Sequence, residues 1–228
     1  LNDLRAAAGR AELFTPGDRG LRAYMKVMRD PTGRASHLCD FTPAYATCDR
    51  ATFAEMDSLA ENARFVFILR DPLSRMWSQA RMGGKEMLEE RSEASFTAEA
   101  RRLLNHYLGN YRASALPRNN YARTIEELES VIPPDRILYL FYETLFTEDS
   151  IRRFCDFVGI SWQQPDFAAG SNVGLPLDMP EALAIELRAE LQGQYSFVRR
   201  KFGDLVPASW GNPEADRLAP LPSAGQPT

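Results

Sequence analysis

The sequence predicts an α/β fold, a parallel sheet flanked by helices, and its pattern of apolar runs and helical stretches carries that expectation. Two short apolar runs, Phe65-Val66-Phe67-Ile68-Leu69 and Ile137 to Tyr142, have the length and the aromatic and β-branched content of buried strands. Helical patterns surround them: Thr52 to Ala60, a stretch from Pro72, another from about Asn119 to Ile132, and Ser150 to Val158. Strands alternating with helices in this order are accommodated by a sheet whose strands run parallel.

Each element has its own signals. Asp18 to Met28 places Leu21, Tyr24, Met25 and Met28 on one helical face, which reads as a core-facing helix. Asp30-Pro31-Thr32-Gly33 is a turn, and Ser36 to Asp40 a short strand or extended run leading to the break at Thr42-Pro43. Asp71 is suited to cap the helix from Pro72, whose missing N–H costs little in a first turn. That helix is expected to end near Gly83-Gly84, followed by a charged helical stretch from Lys85 to Asn105 anchored by Met87, Leu88 and Phe96. Pro133-Pro134 stops the helix from Asn119, and Gly159 supplies a left-handed cap after Val158. Phe167 to Pro180 reads as a loop. Pro180 to Phe202 reads as one helix with the stripe Leu183, Leu187, Leu191, Tyr195, Val198 and Phe202. Residues 1–210 are expected to form a single domain and 211–228 a mobile tail.

Composition narrows the function classes. The chain has 228 residues, 44% of them hydrophobic, enough for one domain to bury a sizeable core without staples. Acidic residues number 31 against 27 basic, a formal net charge of −4, so nucleic acid is not the expected partner. Cys39, Cys48 and Cys155 show no metal-ligand spacing, and their odd number fits reduced thiols in a cytoplasmic protein. No apolar run approaches the length of a membrane span.

The most informative stretch is Arg70-Asp-Pro-Leu-Ser-Arg-Met-Trp-Ser78, which follows the first strand directly. An arginine at a strand end offers a planar fork for two phosphate oxygens. The helix start is expected to add backbone N–H groups and a positive dipole end, and Ser78 a hydroxyl. Arg75 is expected to face solvent or pair with Asp71, while Arg81, three residues beyond Ser78, can share its face.

Arg70 and Ser78, eight positions apart, resemble the 3′-phosphate-binding motif of sulfotransferases that use 3′-phosphoadenosine 5′-phosphosulfate (PAPS). Asp40-Phe41-Thr42-Pro43-Ala44-Tyr45 is similar to the Glu-Lys-Ser/Thr-Pro-Ala-Tyr element of the heparan-type and many bacterial members. Tyr121-Ala-Arg-Thr-Ile-Glu-Glu-Leu, Arg136-Ile-Leu-Tyr-Leu-Phe-Tyr-Glu143-Thr-Leu and Ile151-Arg-Arg-Phe-Cys-Asp-Phe-Val-Gly159-Ile follow in the family's order, so the likeness spans roughly residues 20 to 210. The resemblance implies a P-loop NTPase-like central parallel sheet. It also implies PAPS as co-substrate without a metal, adenosine 3′,5′-bisphosphate as product, and a small-molecule or glycan acceptor. The family's Lys-x-Gly-Thr-Thr loop, which cradles the 5′-phosphosulfate, does not occur here. The expectation is that it belongs to a segment preceding Leu1.

The resemblance also nominates site residues. Asp40 stands where the heparan-type enzymes carry a catalytic glutamate, so it is the candidate general base; the local alternative is that it caps the turn at Thr42-Pro43. His37 is the rival base, since sulfotransferases of small phenols and alcohols use a histidine in this region. In an extended run the two side chains point to opposite faces. Phe41 replaces a frequent lysine, which implies a less anionic acceptor. Tyr121 matches a tyrosine that approaches the adenine, with a core ring as the alternative. The loop Ser171-Asn172-Val173-Gly174 is similar in place to a late segment over the nucleotide, without the family's Arg-Lys-Gly triplet. His106 reads as structural, and Arg199-Arg200-Lys201 as cations complementing a helix dipole. The leading expectation is therefore sulfuryl transfer to a hydroxyl or amine of a carbohydrate, lipid or small metabolite. The alternatives are a P-loop kinase relative and a degenerate nucleotide-binding or scaffold domain without turnover.

Overall fold

In the computed structural model the two apolar runs are strands, β1 (Phe65–Leu69) and β2 (Ile137–Phe141), paired in parallel with Phe65 opposite Ile137 and Leu69 opposite Phe141. The structure describes residues 34, 36–87, 92–110, 118–167 and 178–211. Among these, the sheet has two strands and helices flank it. Two compact units are distinguished, Leu1–Pro43 and Ala44–Thr228. The helix expected at residues 18–28, the loop Ser171 to Gly174 and the tail beyond Gly211 lie outside the described residues.

Within the second unit the helices are α1 (Arg50–Asp57), α2 (Pro72–Met87), α3 (Glu93–Asn110), α4 (Tyr121–Glu129), the short α5 (Tyr142–Leu145), α6 (Glu148–Val158), α7 (Glu181–Glu190) and α8 (Gln192–Phe202). Side chains at several starts hold the first amides: Asp49 accepts from Thr52 N–H at α1, Asn120 from Arg123 N–H at α4 and Thr147 from Ser150 N–H at α6. Gly159 ends α6 with φ 80°, the left-handed conformation the sequence pointed to.

Two expectations are corrected. Helix α2 does not stop at Gly83-Gly84 but runs through both to Met87, because glycine lowers helix propensity without removing a donor and no proline follows. The helix expected from Pro180 to Phe202 is two helices, broken at Leu191 (φ −90°, ψ 2°), whose carbonyl accepts from the N–H groups of Gln194 and Tyr195. The stripe nevertheless stays buried across the break, with Leu183, Leu187, Leu191, Tyr195 and Val198 all at most 2% exposed.

The principal core lies against β1 and β2 and joins Leu69 and Phe141 to Trp77, Phe96, Tyr121, Ile125 and the α7–α8 stripe. Trp210, in a 3₁₀ turn after α8, is completely buried in this core, its ring 5.4 Å from Phe141, 6.2 Å from Tyr195 and 6.4 Å from Tyr121. Arg188 donates to the Trp210 carbonyl at 2.7 Å and Arg199 to that of Gly211 at 2.7 Å, fastening the turn to α7 and α8. Gly211 has φ 100°, and a Cβ there would collide with the Arg188 guanidinium. A smaller core packs α1 against α4 and the start of β2 through Phe53, Leu128, Ile132 and Ile137. Arg199, Arg200 and Lys201 fill the last turn of α8, where the sequence placed them as dipole partners; Lys201 also meets Glu129 at 2.7 Å. Among the described residues no helix is long and apolar enough to cross a membrane.

Candidate functional site

Parallel pairing brings the ends of β1 and β2 level at Leu69 and Phe141; Arg70 and Asp71 then lead into α2, while Tyr142, expected as the last strand residue, instead begins α5 with Glu143. In open α/β sheets this carboxyl edge is where ligands bind. The residues just past the two strand ends are in contact. The Arg70 guanidinium carbon lies 4.4 Å from the centroid of the Tyr142 ring, and Asp71 N–H donates to Glu143 Oε1 at 2.8 Å.

The main chain of Arg70 is held on both sides by one residue. The Tyr121 hydroxyl donates to the Arg70 carbonyl at 2.7 Å and accepts from the Arg70 N–H at 3.4 Å. Tyr121 is 2% exposed, its ring edge-on to Phe67 and tilted against Trp210, so it is both a core ring and a neighbour of Arg70. Burial pushes its phenol up to about 12, and the carboxylates of Asp71 and Glu143 add to that, against the opposing charge of Arg75.

Asp71 is buried and acts as the cap of α2. One carboxylate oxygen accepts from Ser74 N–H at 2.7 Å; the other accepts from the Tyr195 hydroxyl at 3.0 Å and lies 3.9 Å from Arg188. The Tyr195 hydroxyl in turn accepts from Leu73 N–H at 3.3 Å. Burial, then the Asp71 charge, pushes the Tyr195 phenol well above the usual tyrosine range.

These bonds correct the expectation that the helix start lends free amides to an anion. The N–H groups of Arg70, Asp71, Leu73 and Ser74 go to Tyr121, Glu143, Tyr195 and Asp71, while Pro72 has none. Any anion recognised here is met by side chains. Arg75 is also corrected. It is neither solvent-facing nor paired with the Asp71 carboxylate, for its Nε donates to the Asn119 side chain, whose Nδ2 reaches the Pro72 carbonyl at 3.4 Å. Burial lowers the Arg75 pKa, and the neighbouring charges of Arg118 and Arg70 lower it further, so three guanidinium groups share one region.

Among the described residues Arg70, itself half-buried, makes no hydrogen bond or ion pair through its guanidinium. Ser78 lies half-buried on α2, two turns beyond the cap. Asn120 and Gln194 brace the neighbouring start of α4: Gln194 donates to the Asn120 side chain at 3.3 Å and accepts from Ala122 N–H at 3.2 Å.

The two candidate bases belong to the unit Leu1–Pro43. Both lie in irregular exposed backbone, and the run from Ser36 to Asp40 is not a strand. Asp40 accepts from the Thr42 hydroxyl at 2.7 Å, and His37 Nδ1 is 2.9 Å from the Ser36 hydroxyl.

Sequence reasoning missed Glu143, Tyr142, Tyr195, Asn119 and Arg118. That Tyr142-Glu143 directly follows the second apolar run was a usable signal, since two parallel strands of equal length that start level end level. The partnership of Asp71 with Tyr195, 124 positions away, had none.

Comparison with known proteins supplies the family. No curated protein matches the chain, and no solved structure does. Residues 2–164, well over half of the chain, match the sequence profile of the sulfotransferase family. The arginine-bearing strand end, its cap and the second strand all fall inside the matched span, and the chain belongs to the sulfotransferase family.

Proposed function

We propose that this protein transfers a sulfuryl group from PAPS to a hydroxyl or amine of a carbohydrate, lipid or small-metabolite acceptor, releasing adenosine 3′,5′-bisphosphate. The observation that carries this is the guanidinium of Arg70 at the carboxyl end of β1, engaged by no hydrogen bond or ion pair among the described residues, in a chain of the sulfotransferase family. Its two parallel strands, followed by α2 and α5, suit the carboxyl edge of a P-loop NTPase-like sheet.

In this reading Arg70 takes two oxygens of the 3′-phosphate through its planar fork, and Ser78 donates its hydroxyl to the same group. Tyr121 borders the nucleotide through the Arg70 backbone, which it holds at both N–H and carbonyl. Arg75 and Arg118 add positive potential without spending the Arg70 donors. Sulfuryl transfer asks for alignment of acceptor oxygen or nitrogen, sulfur and leaving oxygen, and for removal of the acceptor proton. As the new bond to sulfur forms and the bond to the 5′-phosphate oxygen breaks, Asp40 takes that proton, with His37 as the rival base. Phe41, 78% exposed beside Asp40, favours an acceptor less anionic than a sulfated glycan. The three free cysteines suit a reducing compartment such as the cytoplasm.

The test is calorimetric titration of the complete protein with adenosine 3′,5′-bisphosphate and, separately, with ATP and magnesium. Tighter binding of the bisphosphate is expected. Preference for ATP with magnesium would favour a kinase relative, and binding of neither would favour a domain without turnover.

A further inference from the structure

We propose that Tyr142 is a positioning residue for Arg70, fixing the plane of the guanidinium so that its donors meet the 3′-phosphate of the nucleotide; this rests on the function proposed above.

The two residues directly follow the level ends of paired strands, Leu69 and Phe141, and the Arg70 guanidinium carbon lies 4.4 Å from the ring centroid. A guanidinium carries its hydrogen-bond donors in its plane, so contact through the face orients the group and consumes none of them. The ring is itself fixed: Phe146, one turn later, meets it edge-on at 5.6 Å and 89°. Core packing does not explain the ring, since Tyr142 is 39% exposed and Phe146 60%.

The neighbouring carboxylate sharpens the point. Glu143 stands beside Tyr142, yet it is engaged by Asp71 N–H at 2.8 Å and makes no ion pair with Arg70. An arginine side chain has several rotatable bonds, and ordering them on binding costs affinity. Contact with the ring supplies that order beforehand, while Glu143, engaged by Asp71 N–H, leaves the cation un-neutralised.

The test measures affinity for adenosine 3′,5′-bisphosphate and for adenosine 5′-phosphate, and takes their ratio as the worth of the 3′-phosphate. Tyr142→Ala is expected to lower the ratio roughly threefold to tenfold, Tyr142→Leu likewise, and Tyr142→Phe, which keeps the aromatic face, to restore it. With Arg70 replaced by alanine, Tyr142→Ala should change nothing further. An unchanged ratio in Tyr142→Ala overturns the proposal, as does an equal loss with and without Arg70, or a failure of phenylalanine to rescue. If Arg70→Ala leaves the ratio unchanged, the phosphate site itself is wrong, and the role of Tyr142 falls with it.

Discussion

The carboxyl end of β1 and the run from Ser36 to Thr42 carry the two halves of the proposed reaction, and they are built differently. At the strand end, Arg70 is tied to Tyr121 and Asp71 to Glu143 and Tyr195, partners 51, 72 and 124 positions away. In the other run, His37 bonds to the residue before it and Asp40 to a hydroxyl two positions on, in exposed backbone. Recognition of the donor therefore depends on the folded core, and distant substitutions can disturb it. The candidate bases lie in exposed backbone outside that core, and substitutions there should alter turnover without altering nucleotide affinity.

Asp40→Asn gives the largest effect and probes the local half. Turnover is expected to fall by about 10²- to 10⁴-fold with unchanged affinity for adenosine 3′,5′-bisphosphate, while His37→Gln retains most activity. The reverse pattern, measured in the same sulfate-transfer assay, would make His37 the base. Trp210→Ala breaks the other half from a distance. Removing a fully buried ring that touches Tyr121, Phe141 and Tyr195 should cost about 3–5 kcal/mol, read as a lower urea midpoint.

Tyr121→Phe is the smallest change and the most local to Arg70. Loss of the hydroxyl should lower stability by about 1–2 kcal/mol, because the Arg70 N–H and carbonyl lose their partner. It also alters the alkaline limb. The Tyr121 phenol rises from 10.0 to about 12 in the fold, so between these values the folded state holds a proton that the unfolded chain releases. The associated stability is fully present below the lower value and lost as pH approaches the higher, a fall of up to about 3 kcal/mol from this residue. Thermal melts across that range should show the decline in the parent and a shallower one in Tyr121→Phe. Some decline remains, because Tyr139 and Tyr195 are also raised by burial. Identical limbs would contradict the burial that raises the Tyr121 phenol.

The sequence made both strands legible because each is a short apolar run of strand length and content, and Asp71-Pro72 marked a helix start through known capping chemistry. The end of α2 was not legible, since Gly83-Gly84 weakens a helix without terminating it. Nor was the break at Leu191, where an unbroken apolar stripe hides a change in backbone angles. Arg70 could be singled out from its place after a strand, but the fate of the neighbouring amides could not. Which groups occupy the N–H of Leu73 or Asp71 depends on residues brought together by the tertiary fold, and local pattern carries no trace of Tyr195 or Glu143.

The central claim is that Arg70 grips a ribose 3′-phosphate, and the most direct measurement is the affinity of the parent chain and of Arg70→Ala for adenosine 3′,5′-bisphosphate and adenosine 5′-phosphate. The parent should prefer the bisphosphate, and Arg70→Ala should lose about ten- to hundredfold in affinity for it while changing little towards the monophosphate. Equal affinities of the parent for both nucleotides, or a variant that binds the bisphosphate as tightly as the parent, would contradict the claim.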